Sequence, residues 1–130
     1  MAIELTVVLE NRPGTLSRLG TVLGDAGINI EAIMGTSIET TSMVRFVPRD
    51  AEKARRVLEA AGLSWTTREV LIVRVLDEPG TLGDVALVMA AAGINIDAVY
   101  VTTRGDLVLG VDDLDGGTQV AGGMAVLTFE

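Results

Sequence analysis

The 130-residue chain contains no cysteine and no histidine. It therefore has no thiolate nucleophile, no Ser-His-Asp arrangement and none of the usual zinc ligands. The reading that follows is a protein that is not an enzyme, with no catalytic residues, no metal site and no cofactor. Basic residues are few as well: 10 Lys and Arg stand against 18 Asp and Glu, a net charge of −8. Phosphate backbones are held by clustered Lys and Arg that displace counterions, so nucleic acid and anionic membrane surfaces are excluded as partners. Aromatic residues make up only 3% and apolar residues 48%, the composition of a folded chain with an aliphatic core. Long hydrophobic runs are missing too. The longest uncharged apolar stretch, Val85 to Ile96, is interrupted by Gly93 and Asn95 and falls short of the roughly 20 residues of a membrane span. Glu4, Glu10 and Arg12 interrupt the region where a signal peptide would place its apolar segment. The expected location is the cytoplasm, with which the absence of cysteine is consistent.

What the chain does contain is a repeat. Residues 11–33, which begin Asn11-Arg-Pro-Gly-Thr-Leu and end Gly27-Ile-Asn-Ile-Glu-Ala-Ile, recur 66 positions later as Asp77-Glu-Pro-Gly-Thr-Leu through Gly93-Ile-Asn-Ile-Asp-Ala-Val. Eleven of the 23 positions are identical in fixed register, which marks a duplicated module. The expected boundaries are residues 1–68 and 69–130. Each half is small for an independent core, so the two are expected to pack together.

The first half reads as strand, helix, strand, strand, helix, strand. Ile3–Leu9 alternates as a half-buried strand does, and Pro13-Gly14 breaks it. Leu16, Leu19, Val22, Leu23 and Ala26 fall at helical spacing up to a stop at Gly27. Ile28–Ile38 and Met43–Val47 predict a hairpin around Glu39-Thr40-Thr41-Ser42, and Asp50 caps a helix through Ala61. Leu63–Arg68 supplies a fourth strand. The second half repeats with strand Val70–Leu76, helix Thr81–Ala92, strand Ile94–Thr103, a turn at Arg104-Gly105-Asp106 and strand Leu107–Val111. Its second helix is expected to fail, leaving a short turn or loop, because Leu114–Met124 contains Gly116, Gly117, Gly122 and Gly123 and each interior glycine costs about 1 kcal/mol. A last strand is expected at Ala125–Phe129. The result is an α+β fold of two ferredoxin-like βαββαβ modules, the second with a degenerate second helix.

The repeated residues cluster at two places, the turn into the first helix and the start of the following strand. Gly14 and Gly80 let a ligand approach the backbone, and the first-turn N–H groups of Thr15, Leu16, Thr81 and Leu82 favour an anion such as a carboxylate. Asn29 and Asn95, beside Ile30 and Ile96, offer a carboxamide donor and acceptor. These places lie at opposite ends of one helix, so a complete site needs two modules facing one another. Each residue also has a structural reading, as turn, helix cap or local backbone partner.

The Asn11-Arg-Pro-Gly, Gly27-Ile-Asn-Ile-Glu-Ala and Phe46-Val-Pro-Arg-Asp segments resemble an ACT domain, and Asp77-Glu-Pro-Gly with Gly93-Ile-Asn-Ile-Asp-Ala resembles a second. Together they cover nearly the whole chain, and the first half is particularly similar to the regulatory modules of aspartokinases. The resemblance implies modules paired into a continuous sheet that bind amino acids at their interface and regulate metabolic enzymes. Carried over, it implies ligand contacts at Asn11 and Asp77 before the turn, at the backbone N–H groups of Leu16 and Leu82, and at Asn29 and Asn95. Family members that bind serine carry a histidine two residues before the turn asparagine. Here Leu9 and Val75 stand in its place, which argues against serine. Asp77 in place of Asn11 makes the two sites unequal.

The function expected from this reading is a free-standing, non-catalytic amino-acid-binding regulatory protein, in partnership with a small amino acid, a metabolic enzyme it regulates and a second copy of itself in a homodimer. The alternative is a structural assembly module without a metabolite ligand. An acylphosphatase-like hydrolase ranks below both, because Glu78 replaces Arg12 in the second half and a glycine-rich phosphate cradle is absent.

Overall fold

The computed structural model describes residues 2–125. The chain divides into two compact units, Ile3–Arg68 and the residues from Glu69 onward together with Ala2.

The first unit is built from β1 (Ala2–Glu10), α1 (Thr15–Asp25), β2 (Ile30–Ile38), β3 (Thr41–Pro48), α2 (Ala51–Ala60) and the beginning of β4 (Trp65–Val73). Its strand order is β2-β3-β1-β4, that of a ferredoxin-like βαββαβ module. β3 runs antiparallel to both neighbours, with Leu5 opposite Phe46 opposite Ile33, and Val7 opposite Val44 opposite Gly35. Opposed residues share a sheet face, so this register turns Leu5, Val7, Val44 and Phe46 toward the helices. There they bury against Leu19 and Leu23 of α1 and Ala54 and Leu58 of α2. Of the helical stripe read from the sequence, Leu19 and Leu23 are buried, Val22 and Ala26 are partly buried, and Leu16 is exposed. At the end of α1, Gly27 adopts φ 71° and donates to the Gly24 carbonyl, while the Ile28 N–H reaches back to Leu23 O. These two bonds satisfy carbonyls that the helix end would otherwise leave open. α2 starts where Asp50 accepts a hydrogen bond from the Lys53 N–H at 3.0 Å.

The second unit continues from β4 through α3 (Thr81–Ala91), β5 (Ile96–Val101), β6 (Leu107–Val111) and α4 (Leu114–Ala121), with strand order β4-β6-β5. Leu71, Val73, Leu107 and Leu109 bury against Val85 and Met89 of α3 and Ala121 of α4. The turn between β5 and β6 is held by Thr102, whose hydroxyl accepts from the N–H groups of Arg104 and Asp106.

Two expectations change. The strands expected at Leu63–Arg68 and Val70–Leu76 are one strand, β4, because Arg68-Glu69-Val70 contains neither glycine nor proline to interrupt it. The glycine-rich segment also forms a helix rather than a loop: α4 has eight residues and continues into a 3-10 turn at Gly122–Met124. The reason lies in what surrounds its glycines. Asp113 caps the helix by accepting from the Gly116 N–H at 2.9 Å, and a Cβ on Gly116 would stand 2.3 Å from that carboxylate. A Cβ on Gly117 would meet Leu71, Val111 and Met89 at 3.4, 3.5 and 3.9 Å, so the missing side chain lets α4 lie close to the sheet. Cap and packing offset the propensity cost. Gly20, in the middle of α1 with open space around it, makes a useful contrast. Gly20→Ala is expected to stabilise by about 1 kcal/mol. Gly116→Ala is expected to give no gain, because displacing the cap costs about the same amount; urea titrations of both variants compare them directly. Of the expected last strand only Ala125 lies within the described residues, where it bridges Val73 in antiparallel fashion.

Candidate ligand-binding site

The two Pro-Gly turns have the same geometry. Gly14 sits at φ 93°, ψ −18° and Gly80 at φ 95°, ψ −13°, a left-handed conformation that side chains rarely adopt, each immediately before a helix. No side chain caps either helix. The threonines that open them face back into the turn: Thr15 Oγ1 donates to Glu10 O at 2.8 Å and Thr81 Oγ1 to Leu76 O at 2.8 Å. The first helical hydrogen bonds are Arg18 N–H to Gly14 O and Asp84 N–H to Gly80 O. At both helix starts, therefore, a glycine turn precedes backbone N–H groups that no side chain covers. Leu16 and Leu82, the second residues of these helices, are both largely exposed.

Asn11 and the asparagines at the strand starts are more heavily engaged. Asn11 Nδ2 donates to Glu39 O at 2.9 Å and its N–H to Thr40 O, which ties the β1–α1 turn to the β2–β3 hairpin. Asn29 accepts from the Arg49 N–H at its carbonyl, while its Nδ2 reaches the buried carboxylate of Glu31 at 3.4 Å. Arg49 Nη1 pairs with that same Glu31 oxygen at 3.2 Å. In the second unit the Asn95 carbonyl accepts from the Asp112 N–H, and the Asn95 N–H donates to the Asp112 carboxylate at 3.0 Å. Ile30 and Ile96 follow as the first residues of β2 and β5, both half-buried. Within one unit the structure does not bring the two clusters together, since the 11 residues of α1 separate Thr15 from the asparagine end by roughly 16 Å.

Aligning the units extends the replacement of Arg12 by Glu78 into a wider charge reversal. Arg12 and Arg18 flank the start of α1, where Glu78 and Asp84 flank the start of α3. Arg49 is matched by Asp112, each donating its N–H to the asparagine carbonyl. Residues 1–68 carry eight acidic and eight basic side chains and residues 69–130 carry ten acidic and two basic, so the whole net charge belongs to the second half. The signal lay in the repeat itself, in the positions that differ rather than those that agree.

A half-open cavity of about 400 Å³ adjoins the start of α1. Leu9, Leu16, Ile33 and Val44 form its apolar walls, with Gly35 of β2 between them. Of the residues singled out from the sequence, Thr15 and Leu16 line it. A second depression, of about 370 Å³, includes Arg12, Gly14 and Arg18 in its wall. Among the described residues no group of acidic side chains is arranged to hold a metal ion, and no helix is long and apolar enough to cross a membrane.

Comparison with known proteins matches residues 3–61 and again 70–119 to the ACT domain. The chain belongs to the ACT domain family. A protein of Bacteroides thetaiotaomicron has a similar crystal structure, with TM-score 0.85 at 24% identity, covering 92% of this chain and 85% of that one. The regulatory subunit of aspartate kinase from Thermus thermophilus, in its ligand-free form, aligns with TM-score 0.70 at 16% identity, over 92% of this chain and 89% of that one. In sequence, the probable acetolactate synthase small subunit of Schizosaccharomyces pombe is 33% identical over 84 residues, which are 52% of this chain and 29% of that protein. The chain thus matches less than a third of that relative's length. Both ACT modules have the βαββ core, each with a second helix after it.

Proposed function

We propose that the chain is a free-standing, non-catalytic regulator that binds a small free amino acid between paired ACT modules, residues 1–68 and 69–130, and signals its occupancy to a metabolic enzyme. The observation that carries this reading is the pair of glycine-led, uncapped helix starts. A carboxylate placed there gains hydrogen bonds and the favourable end of the helix dipole. The start of α1 suits it better, having Arg12 and Arg18 nearby and no acidic residue in its first turn. Asn11, Gly14, Thr15 and Leu16 form one half of such a site and Asn29 with Ile30 the other; Asp77, Gly80, Thr81, Leu82, Asn95 and Ile96 are the counterparts. A homodimer is part of the proposal. β2 is the outer strand of its unit, and its single charged residue, Glu31, is buried while Ile33 and Ile38 are exposed. Such an edge lacks the charges and prolines that discourage pairing. Ile38→Lys is accordingly expected to convert dimer to monomer in sedimentation equilibrium and to remove the dependence of Tm on protein concentration.

The test of ligand binding is a thermal-shift screen against the twenty amino acids, repeated for each hit on Asn29→Ala and Asn95→Ala. One amino acid is expected to raise Tm in proportion to the logarithm of its concentration above Kd, with a stabilisation of about 2.7 kcal/mol at a hundredfold excess over Kd. The shift should vanish in the variant whose module holds the site. A well-folded protein that shows no shift at millimolar concentrations would reject the sensor and leave the assembly module.

A further inference from the structure

We infer that the cavity beside α1 receives the side chain of the bound amino acid, that this side chain is aliphatic, and that Gly35 keeps the cavity open in the first unit alone. The inference rests on the amino-acid-binding reading above and adds the ligand class and a specificity-determining residue. Its volume of about 400 Å³ lies within the roughly 300–1,000 Å³ of small-molecule sites. Its walls are Leu9, Leu16, Ile33 and Val44, of which Leu16 is 58% and Ile33 46% exposed, an unusual outlay of aliphatic surface toward solvent.

Four hydroxyl residues line the cavity, Thr15, Thr36, Ser37 and Ser42, and three of them have their hydroxyls engaged. Ser37 and Ser42 bond each other at 2.7 Å, and Thr15 donates to Glu10 O. A ligand hydroxyl or charge entering here would lose water against largely aliphatic walls whose hydroxyls are mostly committed, a penalty that an aliphatic side chain avoids.

Strand register explains the role of Gly35. It lies opposite Val44, whose side chain faces the helices, and a Cβ built on Gly35 would stand 3.6 Å from Val44 Cγ2. Its missing side chain is therefore on the cavity side of the sheet. In the second unit the residue opposite Leu107, the counterpart of Val44, is Val101. There an isopropyl group occupies the position that Gly35 leaves empty. The repeat thus carries glycine at this position in one module and valine in the other.

The experiment is isothermal titration of the full chain with valine, leucine, threonine, aspartate and lysine, for wild type, Gly35→Ala and Gly35→Val. Valine and threonine have nearly the same shape and differ by a hydroxyl. Valine or leucine is expected to bind, and threonine roughly tenfold more weakly or worse. Gly35→Val is expected to weaken the aliphatic ligand by roughly tenfold or more, as overfilling of a packed space does, with Gly35→Ala between it and wild type. Gly35→Val should still fold, because its Cβ makes only ordinary contacts, its backbone is extended, and valine suits a strand. Circular dichroism checks this, and Gly35→Ala carries the test if Gly35→Val fails it. Tight binding of threonine, aspartate or lysine in preference to valine and leucine would overturn the inference and leave the sensor standing. An aliphatic ligand indifferent to both substitutions would also overturn it. Absence of any binding, with Tm rising with protein concentration in wild type but not in Gly35→Val, would assign the cavity to a second copy of the chain and reject inference and sensor together.

Discussion

Phe46→Ala is expected to lower the stability of the Ile3–Arg68 unit by roughly 3–5 kcal/mol. Phe46 is fully buried at the centre of β3, opposite Leu5 on one side and Ile33 on the other, and it belongs to the cluster formed with Leu19, Leu23 and Leu58. Truncation removes both the transfer free energy of the ring and the contacts of everything that touched it, because a sheet between two fixed neighbours cannot collapse onto the gap. A module this small has a stability of the same order as that loss. Phe46→Ala is therefore expected to be substantially unfolded at ambient temperature, whereas Phe46→Leu, which nearly conserves volume, should cost under about 1.5 kcal/mol. The chain provides its own reporter. Trp65 is the single tryptophan and packs against this core, so its fluorescence during urea titration follows the first unit. A midpoint unmoved by Phe46→Ala would mean that the ring is not what holds β3 to the helices.

The parts of this molecule legible in its sequence are those set by local chemistry. The Leu19 and Leu23 stripe, the stop at Gly27 and the Asp50 cap each involve residues within one or two turns of one another, and each appears where the pattern put it. The repeat went further, since two copies of one local pattern gave the architecture of both modules. The unread parts depend on neighbours distant in the chain. Gly116 and Gly117 look like helix breakers until Asp113 and Leu71 are placed beside them. Gly35 looks like a strand defect until its register with Val44 shows which side of the sheet it leaves open. Asn11 attracted attention as a ligand contact from its motif alone, yet its nitrogen is committed to the carbonyl of Glu39, 28 residues away. Its counterpart Asp77 has no N–H to offer in that role. The candidate site was therefore half visible: the turns and asparagines could be read, while the cavity and the ion pair beside Asn29 could not.

That ion pair yields the second large effect. The Glu31 side chain is 3% exposed and its Oε1 is reached by Arg49 at 3.2 Å and by Asn29 at 3.4 Å, while the Arg49 side chain remains 43% exposed. The asymmetry in burial dictates an asymmetry in mutation. Arg49→Met leaves a carboxylate out of water with one weak neutral donor, and is expected to cost about 2 kcal/mol, below the roughly 3–5 kcal/mol of wholly buried pairs because the guanidinium is partly solvated. Glu31→Leu leaves a cation that can turn to solvent, and should cost under about 1 kcal/mol. In the double variant no buried charge remains. Its stability is expected to return to near that of Glu31→Leu, giving a coupling of about 1–2 kcal/mol in the cycle measured by urea denaturation. Strict additivity would mean that the pair makes no net interaction. The same cycle separates stability from binding. Glu31 orients the Asn29 carboxamide, so Glu31→Leu, though nearly neutral for folding, is expected to weaken the amino-acid response that Asn29→Ala abolishes. Asp97 and Asp112 occupy the matching places in the second unit, where no such cation–carboxylate pair can form between them. The arginine of the first unit thus does two things that its counterpart cannot: it neutralises a buried acid, and through that acid it holds the carboxamide of Asn29.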